Sequence, residues 1–139
     1  MITVDTSVLG GFVGDGSGAE AAEDALRVAL SAGPVVACEA VLSEVVAGLG
    51  RSDIVMETLE AIGIGFSPLE QRAAVRAAER QRRCKKRLHR AAVPVPARRR
   101  VPDLLVGAHA LPQCQALITR DAGLFRDYFK GLKVIVPQA

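Results

Sequence analysis

Four acidic residues sit in apolar company, where a carboxylate can do more than meet solvent. Asp5 follows Ile2-Thr3-Val4 and precedes Val8 and Leu9. Glu44 lies beside a stripe of Leu42, Val45, Val46 and Leu49. Asp103 is followed by Leu104, Leu105 and Val106, and Asp121 comes just after Ala116-Leu117-Ile118-Thr119. Carboxylates brought close together repel and raise each other's pKa. A divalent cation removes that conflict, and Mg²⁺ or Mn²⁺ needs only one or two carboxylates plus water. Such an ion can lower the pKa of a water molecule and stabilise charge on an attacked phosphate. Taken one at a time, Asp5, Asp103 and Asp121 are better explained as helix caps, and Glu44 as a solvated or half-buried helix residue. Their joint placement is what makes a shared site plausible.

Other chemistries find less support. His89 and His109 are the only histidines, and no Cys–His or Ser–His–Asp arrangement is apparent. His109, between Ala108 and Ala110, reads as a packed or capping histidine. The glycines at 14, 16 and 18 lack the Gly-Lys-Ser/Thr of a phosphate-binding loop. A phosphohydrolase with an aspartyl nucleophile at Asp5 usually carries a second Asp two residues on, and Ser7 stands there.

An alternation of strands and helices must position these acids. Residues 1–4 predict a strand ending at Asp5, and Thr6-Ser7 a helical turn weakened by Gly10-Gly11. The spacing predicts helices over Ala19–Ala32 and Glu39–Leu49, closed by Gly33 and Gly50, with Val35–Cys38 as the strand between them. A helix over Asp53–Ala61 and a strand over Ile64–Phe66 follow. Ser67-Pro68-Leu69-Glu70 has the cap, first-turn Pro and third-position acid of a helix start, and that helix should reach about Arg90. Val93-Pro94-Val95-Pro96 forces an extended stretch. Pro102-Asp103 should cap a helix that Pro112 stops beyond Leu111. Strands over Ala116–Thr119 and Val134–Val136 flank a short helix capped by Asp121. The expected fold is a three-layer α/β/α sandwich with a mostly parallel central sheet, one domain over residues 1–139. In such sheets the functional crevice lies at the carboxyl ends of the strands, where Asp5 and Asp121 fall.

Composition agrees. Half of the residues are apolar, with four Phe, one Tyr and no Trp, so the core must be aliphatic. No basic start with an apolar run marks a leader, and no stretch approaches the ~18 apolar residues of a membrane span. Cys38, Cys84 and Cys114 are odd in number with no CxxC pair, as expected of reduced thiols in a cytoplasmic protein. Charge is polarised. Arg72 to Arg100 holds twelve Lys or Arg against Glu79 alone, a local +11, so the rest carries −8 within a total of +3. A basic region attracts phosphates and an acidic one a metal ion, a pairing suited to cutting nucleic acid.

Four segments together resemble a known family. Ile2-Thr3-Val4-Asp5-Thr6-Ser7-Val8-Leu9 is similar to the opening of PIN domains, and Leu42-Ser43-Glu44-Val45 to their helical Glu. Pro102-Asp103-Leu104-Leu105-Val106-Gly107-Ala108-His109-Ala110 resembles the third-acid segment, and Leu117-Ile118-Thr119-Arg120-Asp121-Ala122-Gly123-Leu124-Phe125 the fourth. Within the family the chain looks most like VapC-type toxins of toxin–antitoxin pairs. The resemblance implies a Mg²⁺- or Mn²⁺-dependent endoribonuclease, a homodimer, and inhibition by a small antitoxin. It also implies metal binding by Asp5, Glu44 and Asp103, with Asp121 completing the site directly or through water, and hydroxyl support from Thr6 and Thr119. The alternative is a non-catalytic RNA-binding module on the same fold. Arg98, Arg99 and Arg100, a few residues before Asp103, are expected to hold the RNA backbone. For Arg80, Arg82, Arg83, Lys85, Lys86, Arg87 and Arg90, an RNA track and a solvated helix face stand side by side. Phe125, Tyr128 and Phe129 read as core or dimer interface rather than a platform for bases.

Overall fold

The structure, a computed structural model, describes residues 1–13, 18–91 and 100–138. Its elements run β1 (Ile2–Val4), α1 (Thr6–Val13), α2 (Ala19–Ala32), β2 (Val35–Ala37), α3 (Glu39–Leu49) and α4 (Ser52–Ile62). Then come β3 (Ile64–Phe66), α5 (Gln71–Ala91), α6 (Arg100–Gln113), β4 (Ala116–Ile118), α7 (Ala122–Tyr128) and β5 (Val134–Ile135). The strands form one sheet in the order β3-β2-β1-β4-β5, and all neighbours are parallel. This is the expected α/β architecture. The chain builds outward from β1 to β3, then crosses back to place β4 on the other side of β1. Right-handed crossovers put the connections made before and after that reversal on opposite faces. The crevice between β1 and β4 is the switch point of the sheet.

The strands are short and buried, as apolar runs covered on both faces must be. Val4, Val35, Leu117 and Ile118 lie in the core, with Ala22, Leu26 and Ala29 of α2 at helical spacing against them. Gly50 and Gly63 close α3 and α4 with φ of 70° and 96°, the left-handed conformation that glycine adopts most cheaply. Phe125 and Phe129 are the largest buried side chains, their ring centroids 6.2 Å apart.

Two helix starts differ from expectation. α5 begins at Gln71, and Ser67 does not cap it. The Ser67 hydroxyl is 3.0 Å from His109 Nε2, and the Leu69 N–H donates to both Glu39 carboxylate oxygens, at 2.7 and 3.0 Å. The first bond of α5 instead runs from the Ala74 N–H to the Glu70 carbonyl. α6 starts at Arg100, so Asp103 lies inside its first turn, and Pro112 sits within its last turn instead of ending it. A proline there forfeits the bond to the Ala108 carbonyl, and only Gln113 follows it in the helix.

His109 is fully buried, as a packed histidine should be, and its Nδ1 has no partner among the described residues. Burial lowers its pKa below the usual histidine value, more than Glu39 and Glu70 raise it. The unfolded chain therefore takes up this proton first as pH falls. Stability from the neutral ring is complete above about pH 6.5 and is lost as pH drops toward the folded-state value. Thermal melts of His109→Gln should show a flatter pH dependence across that window than the parent. Parallel curves would remove His109 as the acid-sensitive group.

Candidate active site at the carboxyl ends of β1 and β4

Asp5 is the centre of the site. The ladder between β1 and β4 extends one residue past the strands through the Asp5 N–H, which donates to the Ile118 carbonyl at 2.9 Å. This seats the Asp5 side chain at the switch point, only 3 % exposed. Its Oδ1 accepts the Thr6 N–H at 2.8 Å. Its Oδ2 accepts the Ser7 hydroxyl at 2.9 Å and the Thr119 hydroxyl at 2.7 Å.

The polarity of this network is set by the backbone. Thr119 Oγ1 accepts the Asp121 N–H at 3.0 Å, and Ser7 Oγ accepts the Arg120 N–H at 3.1 Å. With those lone pairs engaged, both hydroxyl hydrogens are directed to Asp5. The two hydroxyls, 3.4 Å apart, bridge the start of α1 to the end of β4. Arg120 extends the bridge: its guanidinium donates to the Gly18 carbonyl at 2.7 Å. Gly18 has φ 85°, the left-handed conformation that favours glycine, and a Cβ there would press on that guanidinium.

Glu44, on the second turn of α3, is exposed along the crevice. Partial desolvation raises its pKa, and the charge of Asp5 raises it further. The two carboxylates thus oppose each other's ionisation. Asp103 is half-buried in the first turn of α6 and engaged with other groups. Asp121 is exposed at the start of α7, and its side chain caps nothing. Among the described residues, no three of His, Cys, Asp and Glu converge closely enough to hold a metal ion. The donor chemistry still suits a hard divalent cation. Asp5 has unused acceptor capacity, and Glu44 shares its field; two carboxylates and water are enough for Mg²⁺ or Mn²⁺.

Thr6 meets Asp5 through its backbone, while its buried hydroxyl has no partner among the described residues. Thr119 uses its side chain. Ser7, which sequence reasoning weighed only as a position lacking a second Asp, is the other hydroxyl on Asp5. A Ser at the third position of an Asp-Thr-Ser segment opening a helix was the available signal, since such residues commonly bond back to a nearby carboxylate or backbone group. Arg98 and Arg99 lie outside the described residues; Arg100 opens α6, and its side chain is outside them too. Among the described residues the thiols offer no rival chemistry: burial raises Cys38, and pushes Cys114 up to about 11.

A doubly wound parallel sheet with an acid clamped at its switch point defines the class. The particular family is shown by a PIN domain model that matches residues 2–130: the chain belongs to the PIN domain family. PIN domains are generally nucleases. No curated protein matches the sequence. Among solved structures, the chain is similar to VapBC2 from Rickettsia felis bound to a promoter DNA fragment, with TM-score 0.68 and 13 % identity over 99 % of this chain and 100 % of that one. It is also similar to DNA-bound VapBC from Salmonella typhimurium, with TM-score 0.67 and 13 % identity over 99 % and 98 %. A toxin–antitoxin complex from Klebsiella pneumoniae gives TM-score 0.58 and 22 % identity over the same shares. Among the described residues, no helix is long and apolar enough to cross a membrane.

Proposed function

We propose that this chain is a cytoplasmic endoribonuclease that uses Mg²⁺ or Mn²⁺ and serves as the toxin of a VapBC-type pair. The observation that carries the reading is the Asp5 clamp: a buried carboxylate oriented at the switch point, facing a second carboxylate whose charge it disfavours. A cation bound there supplies Lewis acidity toward a phosphodiester and makes water nucleophilic at neutral pH. Asp5 and Glu44 would hold it, with Asp103 and Asp121 contributing directly or through water. Ser7 and Thr119 keep both Asp5 oxygens in one orientation, so no reorganisation is needed when charge develops. The likeness to structures of toxin–antitoxin complexes supports a protein partner. So do exposed Met56 and Phe66, which line one hollow with Leu42, Leu59 and Ile64 and give an antitoxin or a second copy an apolar surface.

The test is cleavage of end-labelled RNA by purified protein with Mg²⁺, with Mn²⁺ and with chelator, beside Asp5→Asn. Cleavage that needs the metal and the carboxylate supports the reading; cleavage by the variant, or none by the parent with either ion, refutes it. Thr119→Val provides a graded case. It keeps the volume but removes the hydroxyl from Asp5 and from the Asp121 N–H. Loss of a partner that orients a metal ligand costs roughly 10–100-fold in affinity or activity. Thr119→Ser should restore most of it, and equal rates for the Val variant and the parent would show that the clamp is dispensable.

A further inference from the structure

A second charged site lies away from Asp5, where α5 passes the end of α7. A cavity of about 300 Å³ is lined by Arg80 and Arg83 of α5, by Asp127 and Tyr128 of α7, and by Lys130 just beyond it. Among the described residues, its charged walls are three cations and one acid. Arg80 is built into the fold. It donates to the Tyr128 carbonyl, and its guanidinium lies over the Phe129 ring at 4.6 Å from the centroid. Phe129 is itself locked in the core against Gly107 and Phe125. Stacking and a backbone bond therefore fix the guanidinium before any ligand arrives, which reduces the entropy lost on binding.

The surroundings leave this cation short of negative charge. Burial is the main influence against its charged form, Arg83 and Arg76 add to it, and Glu79 is the weaker, opposing influence. Among the described residues Asp127 is the one carboxylate on the cavity wall, against Arg83 and Lys130, which are exposed. Two planar guanidinium forks and one ammonium around one hollow match the oxygens of a phosphate diester. The site shares α6 with Asp103, the third of the four acids. Asp103 and Gly107 lie four residues apart on α6, about 6 Å along its axis. Gly107 seats Phe129, on which Arg80 rests.

We infer that the Arg80–Arg83–Lys130 cavity binds a backbone phosphate of single-stranded RNA, flanking the bond presented to Asp5. This rests on the ribonuclease reading and adds to it a substrate subsite on α5 and α7. Arg80 is the fixed element; Arg83 and Lys130 close on the phosphate from solvent. Asp127 opposes binding.

The experiment uses the full chain carrying Asp5→Asn, to prevent turnover, and a fluorescent single-stranded RNA whose anisotropy is followed across a salt series. Each phosphate contact contributes about 0.7 to the slope of log affinity against log salt for single strands. Arg83→Gln with Lys130→Gln should lower the slope by roughly 0.7, the contribution of one phosphate. Affinity should weaken to a similar extent for unrelated sequences, since phosphate contacts carry no sequence information. Asp127→Asn should act in the opposite sense and tighten binding several-fold, an effect that a merely structural role would not produce. An unchanged slope, or no gain from Asp127→Asn, overturns the inference; a cavity that instead receives an acidic peptide gives that result. Metal-dependent cleavage by the parent separates the two ideas. Cleavage with an unchanged slope removes the subsite alone, whereas a parent that neither binds nor cleaves RNA removes both.

Discussion

Asp5→Asn should reduce metal-dependent RNA cleavage by roughly 10²–10³-fold or more, the scale seen when one preorganised electrostatic group is removed. The substitution keeps size and shape but puts an amide where three donors converge. An Asn oxygen can still accept the Thr6 N–H. Its NH₂ then faces Ser7 and Thr119, whose hydroxyls already accept backbone N–H groups from Arg120 and Asp121. One mispaired donor in a buried network costs about 1–3 kcal/mol. Relief of the repulsion with Glu44 offsets part of this. The variant should therefore fold, with a modestly lower Tm, and circular dichroism checks that. Metal linkage gives a second readout. A ligand that binds only the folded state raises Tm with concentration. Mg²⁺ or Mn²⁺ should raise the Tm of the parent and leave that of Asp5→Asn nearly unmoved. Equal metal-induced shifts would place the ion elsewhere, even if cleavage were lost.

The second large effect is structural. Gly107→Ala should destabilise the chain, although alanine is the better helix former by about 0.8–1.0 kcal/mol. A Cβ at this position would stand 2.2 Å from the Phe129 ring edge, well inside van der Waals contact. The ring cannot swing away cheaply, since it is buried beside Phe125 and beneath the Arg80 guanidinium. Overpacking a filled core typically costs 1–3 kcal/mol, so the clash outweighs the helix gain. Chemical denaturation should show a lower midpoint, and the double variant with Phe129→Leu should recover more than the single effects add to. A Gly107→Ala protein as stable as the parent would show that α6 and α7 separate freely at this contact. The same glycine lies in the segment that resembles the third acid of PIN domains, so part of that motif serves packing and not chemistry.

Much of the fold was legible because its signals are local. Helices over Ala19–Ala32 and Glu39–Leu49 and the strand over Ile64–Phe66 fall where periodicity and glycine punctuation place them. A parallel sheet followed from the alternation of elements, and Asp5 was placed at a strand end by the apolar residues before it. Two failures have different causes, one a partner distant in the chain and one a partner close by. Ser67 has the pattern of a cap, but His109, 42 residues away, takes its hydroxyl. Asp121 stands where a cap should, yet the Thr119 hydroxyl meets its N–H. Phe125 and Phe129 are core, as expected of helical spacing, while Tyr128 borders a cationic cavity that also needs Arg80, Arg83 and Lys130.

The acids divide along the same line. Sequence alone was enough for the family resemblance, the order of the four carboxylates and their attachment to particular elements, because these depend on neighbours along the chain. Only the tertiary structure decided which groups act on one another. It joined Asp5 to Thr119 across 114 residues, enlisted Ser7, coupled Glu44 to Asp5 by charge, and left Asp103 and Asp121 outside any compact donor set among the described residues. The physical reason is that a strand order reversing at β1 and β4 brings together residues far apart in the chain. Hydrogen bonds and charges act over a few ångströms of space, whatever the distance along the sequence.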